Sequence, residues 1–97
     1  MSVGVAVTVA PTELASGASM DIKPTSSTAE WIIHNIYIPN GKQVKLYRGD
    51  GTNWIEIDTI TSSLMAYYFH ITYSQYMRLY NNDCVSFYVG YDGITSA

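Results

Sequence analysis

The chain has 97 residues, of which 47% are hydrophobic and only 13% charged, and its formal net charge is −3. This length suits one domain with one thin core, residues 1–97. The five cations, Lys23, Lys42, Lys45, Arg48 and Arg78, are scattered rather than striped, which argues against a nucleic-acid partner and a polybasic membrane anchor, and the single cysteine, Cys84, allows no intrachain disulfide.

Residues 3–9 are small or β-branched and too short a run to span a bilayer. They suit a strand, and residues 1–14 read either as an extended apolar arm or as the first strand of the domain's own sheet. Residues 11–19, rich in Pro, Ser, Ala and Gly, read as a flexible connection. A short strand over Met20–Lys23 is stopped by Pro24. Residues 29–38 form the clearest strand, with Ile32, His34, Ile36 and Ile38 on one face and Trp31, Ile33, Asn35 and Tyr37 on the other. Both faces are largely apolar, as in a strand covered on two sides.

The turn Pro39-Asn40-Gly41-Lys42 leads to a strand over 43–48, and the loop Gly49–Asn53 leads to one over 54–60. Alternation in the latter places Ile55 and Ile57 inward and Trp54, Glu56 and Asp58 outward. A strand over 66–73 puts Tyr67, Phe69, Ile71 and Tyr73 on one face. Residues 76–80 turn Met77 and Leu79 to one side, Asn81–Asp83 is a turn, and residues 84–91 align Val85, Phe87, Val89 and Tyr91. Asp92-Gly93 ends that strand. Within this apolar run Cys84 is expected to be a buried, inert thiol. The sum is an all-β domain, an antiparallel β-sandwich or jelly roll of about seven to eight short strands.

No catalytic constellation stands out, and a non-enzymatic protein without a cofactor is expected. His34 and His70 lack a paired ligand spacing, and Asp50, Asn53 and Asp58 lack the pattern of a calcium loop. Glu56 and Asp58 share a strand face rather than flank a cleft. Arg48-Gly49-Asp50 spells an integrin-binding tripeptide, but Gly-Asp-Gly is also ordinary turn chemistry, and the turn is the preferred reading. Trp54 with Tyr67, Tyr68, Tyr73 and Tyr76 could form a platform for stacking on sugar rings; the same residues equally suit a core or a subunit interface.

Several segments occur in a suggestive order: Gly17-Ala18-Ser19, Ile22-Lys23-Pro24, Glu30-Trp31-Ile32-Ile33-His34-Asn35-Ile36-Tyr37-Ile38, Val44-Lys45-Leu46-Tyr47, Tyr68-Phe69-His70-Ile71-Thr72, Tyr80-Asn81-Asn82 and Phe87-Tyr88-Val89-Gly90-Tyr91. Over residues 15–94 this order resembles small β-sandwich virion proteins of tailed bacteriophages, namely capsid decoration (cement) proteins and head or tail accessory proteins. The resemblance implies a structural protein on the capsid surface that binds the major capsid protein, commonly as a homotrimer. It transfers no binding residues. On this reading the contact residues expected are Val3, Val5, Val7 and Val9 of the N-terminal segment and Trp54 on the outer hairpin face. The alternative is a glycan- or receptor-binding module of a tail or fibre, using Trp54 and Tyr68.

Overall fold

A computed structural model describes residues 4–96. Nine strands form two antiparallel sheets packed face to face: β1 (Ala6–Thr8), β2 (Thr12–Leu14), β3 (Ser19–Ile22), β4 (Glu30–Tyr37), β5 (Val44–Gly49), β6 (Trp54–Ile60), β7 (Phe69–Thr72), β8 (Tyr76–Asn81) and β9 (Phe87–Thr95). One sheet runs β1-β9-β4-β7, with β2 also pairing β9, and the other runs β3-β8-β5-β6. The sandwich expected from the alternating pattern is the architecture observed.

The core lies between the sheets. Ile33, Ile36, Ile71, Phe87 and Val89 come from the first, and Ile22, Val44, Leu46, Met77 and Leu79 from the second. Burying one such side chain fully is worth about 1.5–3 kcal/mol, and in this short chain these contacts carry most of the fold. Asn81 is the buried polar residue among them. Its amide donates to the carbonyls of Leu14 (2.8 Å) and Val85 (2.9 Å), and its side-chain oxygen accepts from the Asp83 amide (2.9 Å).

The N-terminal segment is an edge strand of its own sheet, broken once. Ala6–Thr8 pairs with Asp92–Ile94 and Thr12–Leu14 with Phe87–Val89. Pro11, which has no N–H, sits at the break. Residues 12–14, expected to belong to a flexible connection, are therefore a strand. Leu14 fills the core opposite Phe87, and Asn81 holds its carbonyl.

Two register shifts overturn the strict alternation expected for β4 and β6. In β4 an extra residue, His34, lies between the pairs Ile33↔Gly93 and Asn35↔Asp92. Ile33 and Ile36 thus both reach the core, while Asn35 and Tyr37 turn outward to Asp92. Gly93 permits this, since a Cβ there would overlap the Ile32 carbonyl and Ile33 Cα. It also explains why β9 runs through Asp92-Gly93 instead of ending there. In β6 the pairs Leu46↔Asp58 and Tyr47↔Glu56 leave Ile57 as the extra residue. Ile55 and Ile57, expected inward, are exposed, because β6 also ends its sheet. The strand expected over 66–73 covers only Phe69–Thr72. Ala66 sits at φ 62°, and residues 61–68 form a loop.

Cys84 and Val85 are exposed, against the expected buried run. The last strand starts only at Phe87. Before it, the Asp83 carboxylate accepts from the Gln43 and Cys84 amides and shapes a loop, which keeps its pKa low.

Candidate binding surfaces

The N-terminal valines divide. Val7 is 8% exposed and packs into the core opposite Gly93, so its side chain is used within the chain and is not available to a partner. Val5 is exposed at the sheet edge, where its amide donates to Thr95 Oγ1 (3.0 Å). Val9 is half-buried and lines a groove described below. Val3 lies outside the described residues. Backbone bonds from the Gly4 amide to the Thr95 carbonyl (2.7 Å) and from the Thr95 amide to the Val5 carbonyl (2.9 Å) make this segment a strand rather than a free arm.

Trp54 faces outward on the second sheet, yet it is tied down on that face. Arg78 stacks 4.0 Å over its ring and is held by Asp21, with Nε 2.7 Å from Oδ1. Asp21 holds the Arg78 pKa above its ordinary value. Tyr76 meets Trp54 edge-on, with centroids 5.4 Å apart, and Lys23 lies over Tyr76 (4.7 Å) and Tyr73 (4.3 Å). The result is a chain of charge and ring contacts, Asp21–Arg78–Trp54–Tyr76–Lys23–Tyr73, in which Arg78 and Lys23 each lie over a ring and Trp54 meets Tyr76 edge-on. Gly49, paired with Trp54, seats the indole, because a Cβ there would overlap its ring. A shallow concavity of ≈ 310 Å³ beside it is lined by Ser19, Tyr47, Trp54, Arg78 and Tyr80. Tyr68 lies elsewhere, just ahead of β7 and edge-on to His34 of the other sheet, so it forms no joint platform with Trp54.

The Arg48-Gly49-Asp50 tripeptide is occupied internally. Arg48 Nη1 donates to the His70 carbonyl across the sandwich (2.9 Å), and the Asp50 carboxylate accepts from the Thr52 (2.9 Å) and Asn53 (2.8 Å) amides. Those two amides hold the Asp50 pKa low. His34 Nδ1 is paired with the Tyr67 carbonyl and His70 Nε2 with Glu30, each at 2.8 Å. Glu56 pairs with Lys45, and Asp58 accepts from the Thr59 amide. Among the described residues no three His, Cys, Asp or Glu side chains gather in a metal-binding group.

Two further surfaces gather residues the sequence named singly, Tyr67 and Tyr68 in one and Val9 in the other, with neighbours it did not connect to them. The first is the loop ahead of β7. Leu64 exchanges two backbone bonds with Ile36, the Ala66 amide donates to Asn35 Oδ1, and the Tyr67 amide donates to the His34 carbonyl. These bonds fix the loop against β4 while Met65, Tyr67 and Tyr68 stand in solvent, Tyr68 at 69% exposure. The second is a groove of ≈ 340 Å³ on the outer face of β9, where Val9, Pro11, Tyr37, Tyr88 and Gly90 surround Asp92. Asn35 Nδ2 donates to Asp92 Oδ1 (2.6 Å) and Tyr37 Oη to Oδ2 (2.5 Å); the second bond raises the Tyr37 pKa. Both surfaces depend on the β4 bulge, which turns Asn35 outward.

No known family model matches this chain, and no curated protein matches its sequence. The class is thus defined by architecture alone: a small all-β sandwich of two antiparallel sheets, with apolar side chains displayed on a rigid frame.

Proposed function

We propose that this protein is a non-enzymatic structural component of a virus particle, a decoration protein that binds the outer surface of a capsid through its major capsid protein and reinforces it. The observation that carries this reading is the set of large apolar side chains left in solvent by a domain whose core is already filled. Ile55 is 71% exposed on edge strand β6, with Ile57 beside it, and Met65, Tyr67 and Tyr68 stand on the braced loop. Because these side chains sit on a fixed backbone, docking them requires little further ordering of the main chain. Among the described residues β6 also has one edge without a strand partner, open to strand addition by a neighbour. The low charged share of 13% supports an interface-rich protein. The resemblance to small phage virion proteins supplies the particular setting.

The test is solution mass by light scattering on a sizing column. A stable homotrimer is expected, and it should fall to monomer in an Ile55→Asp or Tyr68→Asp variant that keeps the wild-type far-UV spectrum. A wild-type monomer overturns the trimeric decoration reading. It would favour a glycan- or receptor-binding module instead, for which the concavity lined by Tyr47, Trp54, Arg78 and Tyr80 is the supporting observation. Saturable sugar binding lost on Trp54→Ala would establish that second reading.

A further inference from the structure

We propose that the groove on the outer face of β9 is a receptor for a basic side chain, arginine in preference to lysine, of a partner protein. The carboxylate of Asp92 is held by two neutral donors, the Asn35 amide (2.6 Å) and the Tyr37 hydroxyl (2.5 Å). Among the described residues no Lys or Arg lines the groove. Lys45 and Arg78 are paired to Glu56 and Asp21, and Arg48 is spent on the His70 carbonyl. The charge of Asp92 is therefore fixed in direction and not compensated within the groove.

Each carboxylate oxygen accepts one of these bonds and keeps lone-pair capacity for another. Two such oxygens side by side match the two parallel N–H groups of a guanidinium, a geometry a point-like ammonium cannot use as fully. The walls suit the rest of the side chain. Tyr37 and Tyr88 offer rings to a cation, and Val9 and Pro11 offer apolar surface to its methylene stem. Gly90 keeps the floor open between Tyr88 and Asp92, which share its face of the strand. A Cβ there would make only ordinary contacts at 3.9 Å, so this glycine relieves no clash.

Between the end of β1 at Thr8 and the start of β2 at Thr12 the chain still follows the edge of β9, the Val9 amide donating to the Tyr91 carbonyl (3.3 Å), so the groove opens on the face of the sheet and not at its edge. A net charge of −3 favours encounter with a basic partner. The site rests on this geometry and not on the virion reading, so the two fail separately.

The experiment is an NMR titration of the ¹⁵N-labelled full chain with N-acetyl-arginine amide, N-acetyl-lysine amide, the neutral citrulline analogue and methyl glucoside. Shifts are expected at Tyr37, Gly90 and Asp92, strongest for arginine, weaker for lysine and weakest for citrulline. A dissociation constant of order 1 mM for arginine should rise with added salt. Asp92→Asn should abolish the preference for arginine over citrulline. Should that variant misfold, Tyr88→Ala, which alters an exposed side chain, should weaken arginine binding several-fold. Equal binding of citrulline and arginine, preference for the glucoside, or no shift at these residues each overturns the proposal.

Discussion

Asn81 has no solvent exposure, and its side chain ties three backbone groups of two segments together: the Leu14 carbonyl of β2, and the Val85 carbonyl and Asp83 amide of the loop before β9. In an Asn81→Ala variant all three groups lose this partner. The 83–85 region borders solvent, so water can replace part of what Asp83 and Val85 lose. Leu14 is buried and its carbonyl has no such recourse. Counting about 1 kcal/mol for each of the two outer bonds and about 1–3 kcal/mol for the stranded acceptor gives a loss of about 3–5 kcal/mol. That is a large fraction of the roughly 5–15 kcal/mol that holds a domain together.

Asn81→Asp is expected to cost more than alanine at pH 7, because a carboxylate donates to neither carbonyl and carries an unpaired buried charge. Burial raises the folded-state pKa of the introduced carboxyl. The native state then binds the proton more tightly than the unfolded state, so this penalty is present at high pH and shrinks as pH falls through the raised pKa. Urea titration followed by tryptophan fluorescence at pH 7 and pH 5 measures both effects as midpoint shifts at constant slope. An alanine variant within about 0.5 kcal/mol of wild type, or an aspartate variant no worse than alanine at pH 7, would refute the argument.

Gly93→Ala should cost at least about 2 kcal/mol, because its methyl would overlap the backbone of the β4 bulge, and thermal melting should show a drop of roughly 8 °C or more. Gly49→Ala should distort the β5–β6 hairpin, since its methyl would overlap the Asn53 carbonyl as well as the Trp54 ring, read as a lowered melting temperature together with a red-shifted, more quenchable tryptophan emission. Cys84, exposed in its loop, should react with a chromogenic disulfide reagent in the native state without any unfolding phase; a lag that tracks global unfolding would contradict its placement.

The strands were legible wherever a local period set them. β5, β8 and the apolar end of β9 follow a two-residue alternation that any pairing partner must respect, since reversing it would turn Val44, Leu46, Met77 and Leu79 into water. The turn at Gly41, with φ 86°, was equally local. What the sequence alone left open was phase and register. The extra residues His34 and Ile57 are defined only by strands paired beside them, one of which brings Asn35 to Asp92, 57 residues along the chain. From those shifts came the exposure of Ile55 and Ile57 and the outward turn of Asn35 that shapes the aromatic loop and the groove.

The same holds for the residues singled out in advance. Composition marked the N-terminal valines as apolar, but pairing with β9 decided that Val7 is core and Val5 surface. Trp54 was correctly placed outward, while the contacts that restrain it draw Asp21, Lys23, Tyr73, Tyr76 and Arg78 from other parts of the chain. Amino-acid order by itself determined that this chain forms a two-sheet sandwich, because side-chain alternation and turn chemistry act over a few residues. Only the tertiary structure decided which side chains that sandwich presents, because a bulge is an offset between two strands and exists only once both have been brought together.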